Sequence, residues 1–151
     1  MKYGYFIVLS LVFFTLLQGT AANTQYYYEY HHTHIDMSSS FTAHQGDVKE
    51  IKAELYGDDR SSYGLLPDSM LDKKMLYLNV YGPPVDGNNL YIENSAKTNW
   101  WGNAYFKLDT KNLEPGKYNI TVYFNGTYPV NSGSVYLPST KKATLTVLPK
   151  K

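Results

Sequence analysis

The chain has no cysteine and only one arginine, Arg60, among its 151 residues. The first absence excludes disulfide staples, cysteine-ligated zinc, thiol nucleophiles and an acylated lipoprotein cysteine. The second, with a formal net charge of +1, excludes a phosphate-reading cluster and any field strong enough to gather nucleic acid. No apolar run after the first 22 residues approaches the ~20 residues that span a bilayer, and no segment carries a helical period. Catalytic signatures are missing as well: there is no Gly-x-Ser-x-Gly elbow, no His-Glu-x-x-His zinc helix and no phosphate-cradling Gly-Lys-Ser/Thr loop. The paired acids Asp58-Asp59 stand beside Arg60 in a polar stretch and read as solvated loop charges. A triad is assembled in space, so a missing motif does not alone exclude an enzyme; the expectation is nonetheless a protein that catalyses nothing and carries no cofactor.

Tyrosine is what the chain has in abundance, with 16 copies in a composition that is 43% hydrophobic. That is enough apolar material for one domain of ordinary core size. At the front, Lys2 precedes the apolar run Phe6 to Leu17, and the small residues Thr20 and Ala22 sit at the −3 and −1 positions of a signal-peptidase site. Residues 1–22 therefore read as a signal peptide cleaved after Ala22, and the rest as secreted or associated with the cell surface. Losing Lys2 with that segment brings the remaining chain to formal neutrality. Membrane association is expected only if the segment stays in place as an anchor, which would suit an accessory subunit holding a partner complex. Residues 23–33 form a Tyr/His-rich extension, 34–148 the domain, and 149–151 a short basic tail.

The domain alternates apolar and polar residues with a period of two. Ile51, Ala53 and Leu55 share one face of a strand, and the rhythm returns in Leu76 to Tyr81, Ala104 to Leu108, Tyr118 to Phe124 and Ala143 to Val147. Weaker strands around His34 to Met37 and Leu90 to Glu93 bring the count to about seven. Turn residues separate them at Gln45-Gly46-Asp47, Gly82-Pro83-Pro84, Asp86-Gly87-Asn88, Trp101-Gly102-Asn103, Glu114-Pro115-Gly116 and Asn125-Gly126-Thr127. Seven short antiparallel strands predict an all-β sandwich. Within it, Leu113-Glu114-Pro115-Gly116-Lys117-Tyr118 places a tyrosine at a strand start directly after a Pro-Gly corner, the form of a structural tyrosine corner.

With these pieces in view, residues 34 to 148 resemble a single Ig-like domain of the bacterial and archaeal surface-protein type, common in adhesin-like proteins of methanogens. The segments Leu113 to Val122 and Tyr136 to Val147 carry the resemblance most specifically. It implies an extracellular spacer or adhesive module without catalytic residues. Two features depart from that pattern: such domains usually recur in tandem on anchored chains, and the stretch Gly57 to Lys73 is longer than the turn usual there.

Two residue groups are candidates for a binding site. Tyr26, Tyr27, Tyr28 and Tyr30 precede the domain, and Trp100-Trp101 lies at a turn; each ring offers a flat apolar face with a polar edge, suited to stacking on a glycan or packing on a cell-envelope protein. One of the two tryptophans is expected to face the core. Tyr77, Tyr81 and Tyr123 point outward from their strands, where cross-strand ring pairing also accounts for them. The Tyr26 to Tyr30 run could pair with an edge of a second copy and give a homo-oligomer. His31, His32 and His34, with His44 further on, form the metal candidate, because imidazole binds Zn, Cu or Ni near neutral pH; a metal-binding module is the alternative function. Asn119-Ile120-Thr121 and Asn125-Gly126-Thr127 are N-glycosylation sequons, with Asn119 and Asn125 as acceptors. Lys141-Lys142 reads as charge protecting an edge strand.

Overall fold

A computed structural model describes residues 25–58, 69–85 and 88–151. The signal-peptide reading of residues 1–22, and most of the stretch between Gly57 and Lys73, lie outside the described residues. Those described form eleven strands and no helix: β1 (Tyr28–His31), β2 (Thr33–Asp36), β3 (Ser40–His44), β4 (Val48–Gly57), β5 (Ser69–Met70), β6 (Met75–Val85), β7 (Asn88–Lys97), β8 (Asn103–Asp109), β9 (Gly116–Phe124), β10 (Gly133–Tyr136) and β11 (Ser139–Leu148).

Two sheets enclose the core. One runs in the order β3-β11-β9-β6-β7; in the other β4 is flanked by β2 on one side and by β5 and β8 on the other. The period-two pattern decides what lies between them. Ile51, Ala53 and Leu55 of β4, with Ala104, Phe106 and Leu108 of β8, face Leu76, Leu78 and Val80 of β6, Ile120 and Val122 of β9, and Leu145 and Val147 of β11; all are buried in a single cluster. The alternate residues of the same strands face solvent. This is the predicted all-β sandwich. The first edge changes sheets: β2 pairs antiparallel with β4, the chain crosses at Met37 to Ser39, and β3 pairs parallel with β11. A parallel first-to-last pair beside a β11-β9-β6-β7 run is compatible with an Ig-like arrangement.

Tyr118 Oη donates to the Glu114 carbonyl oxygen at 2.7 Å, the hydrogen bond that defines a tyrosine corner. Its ring covers Gly82, where a Cβ would stand 2.1 Å from Tyr118 Cδ1. Gly82-Pro83-Pro84, read from the sequence as a turn, is consequently a bulge inside β6, which continues along β7 after a register shift between Tyr81 and Pro84. The prolines fit there because β6 has left its other neighbour: pairing with β9 ends at Tyr81 opposite Asn119.

Candidate functional site

Antiparallel pairing brings several connections to one end of the sandwich. β4 ends where β8 begins, with Glu54 opposite Asn103; β9 ends where β11 begins, with Phe124 opposite Ser139; β6 begins where β7 ends, with Met75 opposite Lys97. The turn carrying Trp100 and Trp101, the β9-to-β11 connection and the residues around Met70 therefore share a pole. The parallel ribbon of β1 and β10 joins them, with His31 opposite Tyr136 and Leu137 N donating to the His31 carbonyl at 2.9 Å. All six aromatics proposed from the sequence thus belong to one end of the molecule.

The tryptophan turn is rigid. Asn99 Oδ1 accepts from the backbone N–H of Trp101 at 2.9 Å and of Asn103 at 3.1 Å, while Gly102 N–H donates to the Asn99 carbonyl at 2.9 Å. Gly102 sits at φ +70°, and its carbonyl accepts from Leu55 N–H at 2.9 Å. A Cβ there would stand 2.8 Å from the Leu55 carbonyl oxygen, so backbone rather than a side chain packs against β4. Ala104 then fills the inward position. This overturns the expectation that one indole faces the core: Trp100 is 77% and Trp101 64% exposed. Half-exposed Met70 borders the same turn.

Tyr26, Tyr27, Tyr28 and Tyr30 are exposed, and Tyr128 and Val130 of the neighbouring connection are exposed with them. The sequence reading overlooked this second pair, which the pattern of glycine, proline and serine around them disguised as plain loop. The segment read as an extension ahead of the domain contains β1, whose strand pairing is made within the chain, by Gly133 to Tyr136. Tyr27 fastens its outer end, donating its N–H to Ser132 Oγ at 2.9 Å and accepting from Gly133 N–H at 2.9 Å.

The histidines separate. His31 is buried at 7% exposure, stacks on Tyr136 with centroids 5.1 Å apart, and makes a 3.0 Å hydrogen bond from Nδ1 to the Asp58 carbonyl, which requires the proton on Nδ1. Lys74 Nζ lies 4.6 Å from the Tyr136 ring centroid, completing a packed bracket beneath β1. His32 is exposed, and His34 stacks on Tyr56 at 4.9 Å on the other sheet. His44 belongs to the opposite pole, 3.8 Å from Asp47. Among the described residues, no group of three or more His, Asp or Glu is placed to hold a metal ion.

Beside His34, the outer face of β4 carries a short polar relay: Tyr56 Oη and Lys52 Nζ both donate to the Glu54 carboxylate. These bonds hold Glu54 below the usual carboxylate range, led by the one from Lys52, and push the Tyr56 phenol up to about 12, led by its bond to Glu54. Nearby, an open depression lined by Asp36, Lys49, Glu50, Lys52 and Glu54 carries mixed charge and no aromatic ring apart from Phe41. Asn119 and Asn125 are both exposed, the first in the middle of β9 and the second in the turn after it. Lys141 and Lys142 lie in the half of β11 that precedes its pairing with β3, where among the described residues no strand pairs with that edge. Among the described residues no helix is long and apolar enough to cross a membrane.

No family model matches the chain, and no curated protein matches it. Solved structures that do match include an endo-β-1,4-mannanase from Thermotoga petrophila, at 15% identity and TM-score 0.45, covering 78% of this chain and 20% of that one. An internalin-like protein of Listeria monocytogenes matches at 23% identity and TM-score 0.35, covering 81% and 30%. The CARDB domain of a Pyrococcus furiosus protein, in complex with di-metal ions, matches at 12% identity and TM-score 0.34, covering 82% and 94%. The chain thus spans a fifth of the first and under a third of the second. At these TM-scores the likenesses carry no functional argument.

Proposed function

We propose that the chain is an extracellular, adhesin-like binding module that holds a cell-envelope protein or glycan by noncovalent contact through its aromatic pole. The observation that carries this reading is the outward display of Trp100 and Trp101 on a turn whose backbone is pinned at four points. Two adjacent indoles left in water by a rigid turn contribute nothing to the core, whereas a rigid aromatic platform loses little entropy on binding. Tyr26, Tyr27, Tyr28 and Tyr30 extend the platform along the β1 ribbon. In this reading no reaction is catalysed, and the apolar leader of residues 1–22 delivers the domain outside the cell.

The test is a pull-down from the cell envelope of the producing organism with the purified protein and with a Trp100→Ala/Trp101→Ala variant, each with and without chelator. Retention of an envelope protein or polysaccharide that ignores chelator and disappears in the double variant supports the pole. Retention lost with chelator would instead bring forward the histidines, and retention equal in both proteins would refute the tryptophan platform.

A further inference from the structure

The outer face of the five-stranded sheet carries a second arrangement, built on strands rather than connections and independent of the pole's role. Register places the outward side chains in rows across the strands. Tyr123 of β9 stands opposite Tyr77 of β6, and their rings stack with centroids 5.2 Å apart. Four residues along β6, Tyr81 stands opposite Tyr91 of β7, with centroids again 5.2 Å apart. The two ring pairs are thus separated by about 13 Å of strand. The row between them is polar throughout: Lys142 of β11, Thr121 of β9, Asn79 of β6 and Glu93 of β7 lie opposite one another in turn. Across four strands this row runs about 14 Å. A depression lined by Tyr81, Asn119, Thr121 and Lys142 opens onto it.

We propose that this face is a groove for a neutral oligosaccharide, with the two tyrosine pairs as walls and the Lys142–Thr121–Asn79–Glu93 row as floor. A pyranose presents flat C–H faces and an equator of hydroxyls. Aromatic walls suit the faces, and a floor offering both donors and acceptors suits the hydroxyls. Lys142 and Glu93 stand at opposite margins, so the row as a whole carries no net charge and imposes no single sign on a ligand that spans it. The floor is held by the ladder of a central sheet, so no loop has to be ordered when a ligand arrives.

Cross-strand stacking alone explains the ring pairs as sheet stabilisers, but it does not explain Asn79. Its side chain is half-buried between the walls, and its Oδ1 is covered without a hydrogen-bond partner. Such an acceptor is costly to leave unmet, and turning the amide about χ2, a soft torsion, presents it to a ligand hydroxyl. An apolar residue at this position would serve the sheet equally well; a carboxamide serves a ligand.

Isothermal titration of the full protein with cellohexaose, mannohexaose and chitohexaose tests the groove, alongside backbone amide shift mapping of the unaltered protein. Saturable binding of at least one hexaose is expected, with shifts centred on Asn79, Tyr81 and Thr121. Tyr81→Ala with Tyr123→Ala should weaken it about tenfold or more, while Trp100→Ala/Trp101→Ala leaves it intact. Because Asn119 lies in the groove, intact mass and an Asn119→Gln variant accompany the titrations. No saturable binding to any hexaose in either protein, or shifts confined to the tryptophan turn, overturns the proposal. An occupied Asn119 whose own glycan must be removed with the sequon before any hexaose binds also overturns it, since the groove would then serve the chain's own sugar.

Discussion

Single side chains in this molecule act through hydroxyls placed where backbone or carboxylate needs them. Tyr118 is almost wholly buried, and its Oη satisfies the Glu114 carbonyl at the corner before β9. Burial raises its phenol, which therefore stays protonated as the donor. Tyr118→Phe keeps the ring and strands the carbonyl, so it should cost about 1–3 kcal/mol and lower Tm by several degrees in a calorimetric scan; an unchanged Tm would deny the corner its role. Tyr56 makes a different prediction because its acceptor is a charge. Its folded-state pKa of about 12 stands above the unfolded value near 10, so the relay with Glu54 contributes fully below pH 10. That contribution is lost as pH rises toward 12. Glu54, held low, adds the acid limb: its contribution is present above the ordinary carboxylate range and lost as pH falls through its folded value. Chemical denaturation between pH 9 and 12 should show stability falling, with a shallower fall in Tyr56→Phe; equal slopes in the two proteins would show that the relay is too exposed to matter.

At the scale of strands and turns, close packing explains where alternation could and could not be read. The five strands with unbroken alternation were legible because each buries one face in the inter-sheet core, and a slip of one residue would expose every apolar side chain they carry. β1, β5 and β10 were not legible, since strands of two to four residues at the pole carry exposed tyrosine, serine and glycine and are defined by backbone pairing rather than burial. β3 was missed because the edge crosses between sheets, so Phe41 and Ala43 follow a new inward direction after Met37. The Gly82 bulge shows how a turn signal can be a packing signal instead. Only a hydrogen fits between β6 and the Tyr118 ring, and Gly82→Ala must push that ring off the corner. The expected cost is about 1–3 kcal/mol of overpacking. In a double-mutant cycle Gly82→Ala and Tyr118→Phe should be non-additive, because both act on the same ring and bond. Additive losses in urea unfolding would mean that β6 yields without moving the ring.

Taken as a whole, the sandwich fills its core with aliphatic residues and with Phe106, Tyr118 and Phe124, and gathers outward aromatic residues at the pole and on the five-stranded sheet. The six residues Tyr26, Tyr27, Tyr28, Tyr30, Trp100 and Trp101 could be picked out from the sequence as binding candidates, but their common pole could not, because it depends on the β1 and β10 ribbon and on which connections antiparallel pairing brings to the same end. Nor could the rows on the five-stranded sheet, which exist only in the register of β11, β9, β6 and β7. This separation gives the last prediction its force. Trp100 and Trp101 make no contribution to the buried cluster, so Trp100→Ala/Trp101→Ala should change unfolding free energy by no more than about 0.5 kcal/mol while envelope retention falls. The same substitution placed in a structural turn would behave in the opposite way, with a lower Tm and binding lost only in proportion to the unfolded fraction. Gly102→Ala supplies that contrast, since its left-handed φ and the nearby Leu55 carbonyl both resist a side chain. It should lower Tm with both indoles still present. Measuring Tm and envelope retention together for the two variants separates a platform from a prop: loss of retention at constant Tm in the tryptophan variant assigns the indoles to recognition, and a Tm loss matching that of Gly102→Ala assigns them to the fold.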